Sequence, residues 1–146
     1  MDDIDSKILH ILSAHADTSA TRIGEMVGLS IPAVNKRIQK LQKEGILQRF
    51  TILTDGRAVG KPITTYVLIL LHTDIGTDDL LDYILSDPDI LECSAITGEY
   101  DYLLKICAAD VQALEQKLIC LRKNGIIKSQ TMLVLEAHKS QPTILP

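Results

Sequence analysis

The chain has 146 residues, 46% of them hydrophobic, with a formal net charge of −4. That length holds one medium domain or two small ones. The longest apolar run, Tyr66–Leu71, is far too short to span a bilayer as a helix. With no Trp and one Phe, the chain is poorly equipped to stack on single-stranded nucleic acid.

The charge is unevenly spread. Residues 1–61 hold nine Lys/Arg against seven Asp/Glu, and residues 62–146 hold six against twelve. A polyanion would therefore meet the N-terminal part and be repelled by the remainder. The opening MDDID is acidic where a secretory signal would be basic. Cys93, Cys107 and Cys120 lack metal spacing and read as buried, reduced packing residues, which suits a cytoplasmic protein. His10, His15, His72 and His138 form no i,i+4 pair and no Cys-His cluster. No metal and no cofactor is expected.

In chain order, Ile4, Ile8, Ile11 and Leu12 follow helical spacing and predict an amphipathic first helix, with Asp2, Asp3 and Asp5 at its positive end. Ser19 caps a second helix running to about Val27, with Ile23, Met26 and Val27 as its buried face. Gly28 ends it. Ser30 caps a third helix, with Pro32 in the first turn and Gly45 as its stop. On a helical wheel Ile31, Val34, Ile38 and Leu41 face inward, while Pro32, Lys36, Gln39, Lys40 and Lys43 face outward. Asn35 and Arg37 flank the apolar stripe. Ile46–Thr54 alternates weakly and predicts a short β-wing, followed by a turn at Asp55-Gly56. Gly60-Lys61-Pro62 marks a domain boundary.

Beyond it come a strand at Thr64–Thr73, a helix at Asp78–Leu85 with Leu80, Leu81, Ile84 and Leu85, and a strand at Ile90–Thr97. Gly98-Glu99 turns into a strand at Tyr100–Ala108. Asp110 caps a helix carrying Val111, Leu114, Leu118 and Leu121, closed by Asn124-Gly125, before a last strand at Ser129–Ala137. The order βαββαβ is the ferredoxin-like pattern. The expected fold is α+β: a winged helix-turn-helix over 1–60, then a ferredoxin-like sandwich over 61–146.

Two short helices with a Gly-Leu-Ser turn, the second carrying cations outward, suit insertion in the major groove of duplex DNA. Candidate contacts are Ser30, Pro32, Ala33, Asn35, Lys36, Arg37, Gln39, Lys40, Lys43 and Arg49. Lysines and arginines neutralise phosphates, and Asn35 and Gln39 suit adenine edges. A solvated helix face would carry the same residues. The acidic patch of Asp78, Asp79, Asp82, Asp87 and Asp89 lacks EF-hand spacing. One reading helix spans too few base pairs for specificity, so a dimer is expected. The apolar strands Thr64–Leu71 and Met132–Leu135 suggest that it forms through the sheet.

These residues resemble the Lrp/AsnC (feast/famine) family of bacterial and archaeal transcriptional regulators. The matching positions are Asp5, Ile8, Leu9, Leu12, Ser19, Ile23, Val27-Gly28-Leu29-Ser30, Val34, Arg37-Ile38, Leu41 and Gly45-Ile46. The likeness continues through Gly60 to Thr97-Gly98-Glu99-Tyr100-Asp101-Tyr102-Leu103-Leu104. It implies DNA binding, homo-oligomers up to an octamer, and an amino-acid effector held near the Gly98 loop at an interface between dimers. Thr97, Gly98, Glu99, Tyr100, Asp101 and Tyr102 are then the effector-binding candidates. Backbone N–H groups around Gly98 suit a carboxylate, Asp101 or Glu99 an ammonium, and Tyr100 or Tyr102 a side-chain wall. A plain β-turn, with Asp101 bonding nearby backbone, uses the same residues.

The chain departs from the family at Asp17, where Arg is common, and at Gly24, where Ala is common. Arg22 replaces the capping-box Glu, Pro32 and Ala33 replace small hydroxyl residues, and Gln42 replaces a usual Glu. These changes bear on DNA preference more than on fold. Two alternatives to an effector-controlled regulator are an architectural DNA-wrapping protein without effector and an enzyme resembling sirohaem decarboxylases. The acidic second domain, with only His72 and His138, suits the enzyme poorly.

Overall fold

The computed structural model describes residues 1–71, 78–141 and 143–146. The chain forms two compact units, Met1–Leu53 with Lys139–Pro146, and Thr54–His138. The Gly60-Lys61-Pro62 segment lies inside the second unit. There Lys61 N–H donates to the Gly56 carbonyl at 2.7 Å, and the Lys61 ammonium bonds Asp89. No helix among the described residues is long and apolar enough to cross a membrane.

The first unit is built on α1 (Asp3–Ala14), α2 (Ala20–Val27) and α3 (Ile31–Lys43). Asp2 caps α1 by accepting the Ile4 and Asp5 N–H groups, and Asp5 returns the bond to the Asp2 N–H at 3.1 Å. This capping box satisfies donors the first turn leaves orphaned. Ser19 caps α2 through the Arg22 N–H, but Arg22 cannot reciprocate as a Glu would; it pairs with Glu25 at 2.9 Å. Gly28 closes α2 at φ 71°, a conformation that disfavours side chains with a Cβ. Ser30 stands at the N-cap of α3 but makes no side-chain capping bond, contrary to expectation; Pro32 occupies the first turn.

Ile8, Leu12, Ile23, Val34 and Leu41 form the three-helix core. Two expected inward residues are exposed instead. Met26 is 55% and Ile31 46% accessible. Gly24 is buried in place of Met26, because α2 approaches the turn so closely that a Cβ at Gly24 would lie 2.5 Å from the Leu29 carbonyl oxygen. Ile31 begins α3, ahead of the turn that Val34 lays on the core.

The expected wing strand is not formed. Residues 48–54 carry no regular secondary structure and make no ladder bonds among the described residues, and Phe50, Ile52 and Leu53 are exposed. A strand exists only as a pair, and no described segment of the chain pairs with this one.

The second unit runs β1 (Ile63–Leu71), α4 (Asp78–Ser86), β2 (Ile90–Ala95), β3 (Tyr102–Ala108), α5 (Val111–Arg122) and β4 (Ile126–Leu133). The sheet order is β2-β3-β1-β4, with every neighbouring pair antiparallel. This is the ferredoxin-like arrangement expected. β1 alternates: Thr65, Val67 and Ile69 are buried, while Thr64, Tyr66, Leu68 and Leu70 are half-buried. The buried row joins Leu104, Ile106, Ala108, Leu80, Ile84, Leu114 and Leu121 in one core. Leu85 and Val111 project outward.

Strand ends differ from expectation. Thr97, Tyr100 and Asp101 lie outside strands, and β4 begins three residues before Ser129. His72 and Thr73 fall outside the described residues. Asp110 caps α5 through the Ala113 N–H as expected. The acidic patch is partly neutralised: Lys117 reaches Asp87 at 2.7 Å and Asp89 at 3.0 Å, and Lys61 also binds Asp89. Burial raises the Tyr83 phenol, as does the neighbouring Asp87 carboxylate, to a pKa of about 12.

Candidate nucleic-acid interface and effector loop

The outward face of α3 is set by its core stripe. With Val34 and Leu41 buried and Ile38 half-buried, Ser30, Pro32, Asn35, Lys36, Gln39, Lys40 and Lys43 are exposed, as is Arg49 beyond the helix; Ala33 is half-buried. Lys40 makes a long contact with Glu44 at 3.9 Å. Lys36, Lys43 and Arg49 make no ion pair among the described residues. A helix with amides and ammonium groups on one open face can approach phosphates and base edges together.

Arg37 does not belong to that face. Its guanidinium reaches Asp2 at 2.7 Å and Asp5 at 2.7 Å. Burial would push the Asp5 carboxyl up, but hydrogen bonds from Arg37 and from the Asp2 N–H outweigh it and hold it below its ordinary value. The Asp5 N–H bond, then Arg37, lower Asp2, and both carboxylates raise Arg37. Arg37 is therefore a clamp between α1 and α3, a role its helix position alone did not reveal.

The second candidate site is the turn between β2 and β3. Gly98 sits at φ 121° with open space around it. Asp101 is engaged three ways: its Oδ2 accepts the Leu71 N–H at 2.8 Å, its N–H donates to the Ile69 carbonyl at 2.9 Å, and its carbonyl accepts the Ile96 N–H at 2.9 Å. The backbone N–H groups of Thr97, Gly98, Glu99 and Tyr100 find no acceptor among the described residues. Tyr102 is drawn into β3, opposite Ile69 and Ala95, and packs on the core.

Glu99 and Tyr100 meet β4. Glu99 pairs with Lys128, whose ammonium lies 5.3 Å from the Tyr100 ring centroid, and the Tyr100 hydroxyl donates to Gln130 Oε1 at 3.3 Å. The bond to Glu99, then that to Tyr100, raise the Lys128 ammonium pKa. Lys128 and Gln130 were not among the sequence candidates, because nothing local to the glycine turn points to residues 29 and 30 positions away.

Two concavities, of about 530 and 330 Å³, lie between α1 and α2 and along α5; neither includes a residue of the Gly98 turn. Within one chain Thr97, Gly98 and Glu99 of that turn are exposed and Tyr100 is half-buried. Among the described residues no group of three His, Cys, Asp or Glu could hold a metal ion.

Residues 1–42 match the AsnC-type helix-turn-helix domain, and residues 64–144 match the Lrp/AsnC ligand binding domain. The HTH-type transcriptional regulator Rv2324 of Mycobacterium tuberculosis is 32% identical over 136 residues, covering 92% of this chain and 92% of its own. LrpB of Bacillus subtilis, also an HTH-type transcriptional regulator, is 31% identical over 125 residues, covering 86% and 83%. Among solved structures, the feast or famine regulatory protein Rv3291c from M. tuberculosis, complexed with L-methionine, matches with a TM-score of 0.91 at 25% identity over 99% of both chains. A transcriptional regulator from Neisseria meningitidis matches with the same TM-score at 24% identity, over 99% of this chain and 96% of its own.

Proposed function

The chain belongs to the Lrp/AsnC family of transcriptional regulators, and we propose that it acts on duplex DNA as a dimer or larger homo-oligomer whose binding a small effector adjusts. The observation that carries the DNA reading is the exposed face of α3, where Asn35, Lys36, Gln39, Lys40 and Lys43 stand clear of the core. Ser30, Pro32 and Ala33 would lie nearest the groove at the helix N-terminus, and Arg49 would flank it. Arg37 is withdrawn from this set by Asp2 and Asp5. Pro32 and Ala33 offer no side-chain hydrogen bond to phosphate, so Lys36, Lys40 and Lys43 supply most of the backbone attraction.

The test is a mobility shift with promoter DNA, including DNA upstream of the chain's own gene. Lys36→Glu with Lys40→Glu abolishes the shift and leaves the melting temperature unchanged. Unaltered affinity would refute the assignment. Random competitor DNA separates a sequence-selective regulator from a DNA-wrapping protein, whose binding tolerates any sequence and falls steeply with salt.

An amino acid is the proposed effector, at Thr97–Tyr102. Support comes from the L-methionine held by the Rv3291c protein and from the unsatisfied N–H groups around Gly98. A second copy covering the open sheet face would turn that exposed loop into a concave site. A melting-temperature screen of the twenty amino acids tests this, since a ligand of the native state must raise stability. No shift with any of them would refute an amino-acid effector. The protein is proposed to work in the cytoplasm, where its DNA would be.

A further inference from the structure

The first turn of α3 is apolar and largely uncovered. Ile31 is 46% accessible, Pro32 is exposed and Ala33 is half-buried. None of the three side chains can donate or accept a hydrogen bond. Ile31 is not part of the three-helix core, to which α3 contributes Val34, Leu41 and, at its margin, Ile38.

Its place on the helix gives it another surface to meet. Ile31, Asn35 and Gln39 are spaced at i, i+4 and i+8, so they stand in one row, and all three are exposed. Pro32 leads the neighbouring row of Lys36 and Lys40, also exposed. The apolar tip thus heads the face on which the amides and cations stand. The N-terminal residues of a reading helix are the ones that meet base edges. In the major groove those edges carry hydrogen-bonding atoms and one apolar group, the C5-methyl of thymine.

We propose that Ile31, flanked by Pro32, reads thymine by packing on its C5-methyl group, so that the α3 tip selects bases by apolar contact. This rests on the reading of α3 as the DNA-facing helix, and names what its first turn selects. Asn35, one turn further on, suits an adenine edge, so the row reads A·T pairs with two chemistries. Cytosine in place of thymine is penalised twice. It lacks the methyl, and its amino group would lose water against Ile31 without gaining an acceptor. The lysines add affinity whatever the sequence.

The experiment uses the full-length chain and a duplex selected with it from a random DNA library. That duplex is compared with copies in which deoxyuridine replaces single thymidines. Uracil keeps the hydrogen-bonding atoms of thymine and lacks only the methyl. Fluorescence anisotropy should show wild-type binding weakened about fourfold at each contacted methyl. Ile31→Ala weakens binding to the thymine duplex by that factor and leaves the uracil duplex unchanged, so the two bind alike. Unchanged binding of the uracil duplex shows that the variant is folded. Lys43→Gln weakens both duplexes equally. Equal wild-type binding of every uracil copy would overturn the inference and leave α3 as the DNA-facing helix. Full discrimination retained in Ile31→Ala would do the same. A library from which no duplex is selected would remove the DNA reading, and the inference with it.

Discussion

The guanidinium of Arg37 leaves the outer face of α3 and closes on Asp2 and Asp5, tying the start of α1 to α3. Asp5 is 1% accessible, so removing its cation strands a buried carboxylate. Arg37→Met is expected to lower the melting temperature by several degrees. The pH dependence has a definite sign. Asp2 and Asp5 have folded pKa values below their ordinary 3.8. Their stabilisation is present above that value and lost as pH falls through the lower folded one. Urea unfolding as a function of pH should therefore show a constant gap between wild type and Arg37→Met near neutrality, closing below about pH 3.8. A gap that widened in acid would contradict the clamp. A helix wheel places Arg37 beside the stripe but cannot show that two aspartates more than thirty residues away claim it. Lys128 was hidden for the same reason: its partner lies across the sheet.

At the scale of elements, caps and turns were the most legible features. Asp110, Ser19, Gly28 and the Asn124-Gly125 stop act where their chemistry predicts. Periodicity placed each described helix and strand of the two units, misjudged their margins, and added one strand that does not form. Ile31 and Val111 share an apolar stripe with core residues yet sit at helix starts, where the stripe has no neighbour to cover it. The strand expected at residues 46–54 failed because alternation encodes a face and not a partner. The αL turn between α2 and α3 yields a prediction. Gly28→Ala puts a Cβ at φ 71° and should cost about 1 kcal/mol, read as a lower urea midpoint at unchanged slope. Gly28→Asn should cost less, because Asn tolerates that region better.

At the scale of the whole molecule, the second unit covers one sheet face with α4 and α5 and leaves Tyr66, Leu68 and Leu70 half-buried on the other. An apolar sheet face of this kind is the proposed assembly surface. Leu68→Asp should convert the proposed oligomer to monomers in light scattering, with the sandwich core intact; an unchanged mass would place the interface elsewhere. DNA affinity should fall with it, since a lone α3 reads too little sequence. The stretch over residues 48–54, with Phe50, Ile52 and Leu53 exposed and no ladder bonds among the described residues, has a consequence for the protein's life in a cell. An exposed stretch of this kind is a place where a protease can enter. A cut there separates α3 from the sheet, and the C-terminal fragment keeps the proposed assembly face and its Gly98 loop. Such a fragment would pair with intact chains and leave each pair with one reading helix. It would act as a dominant inhibitor, so that partial proteolysis silences more regulator than it destroys.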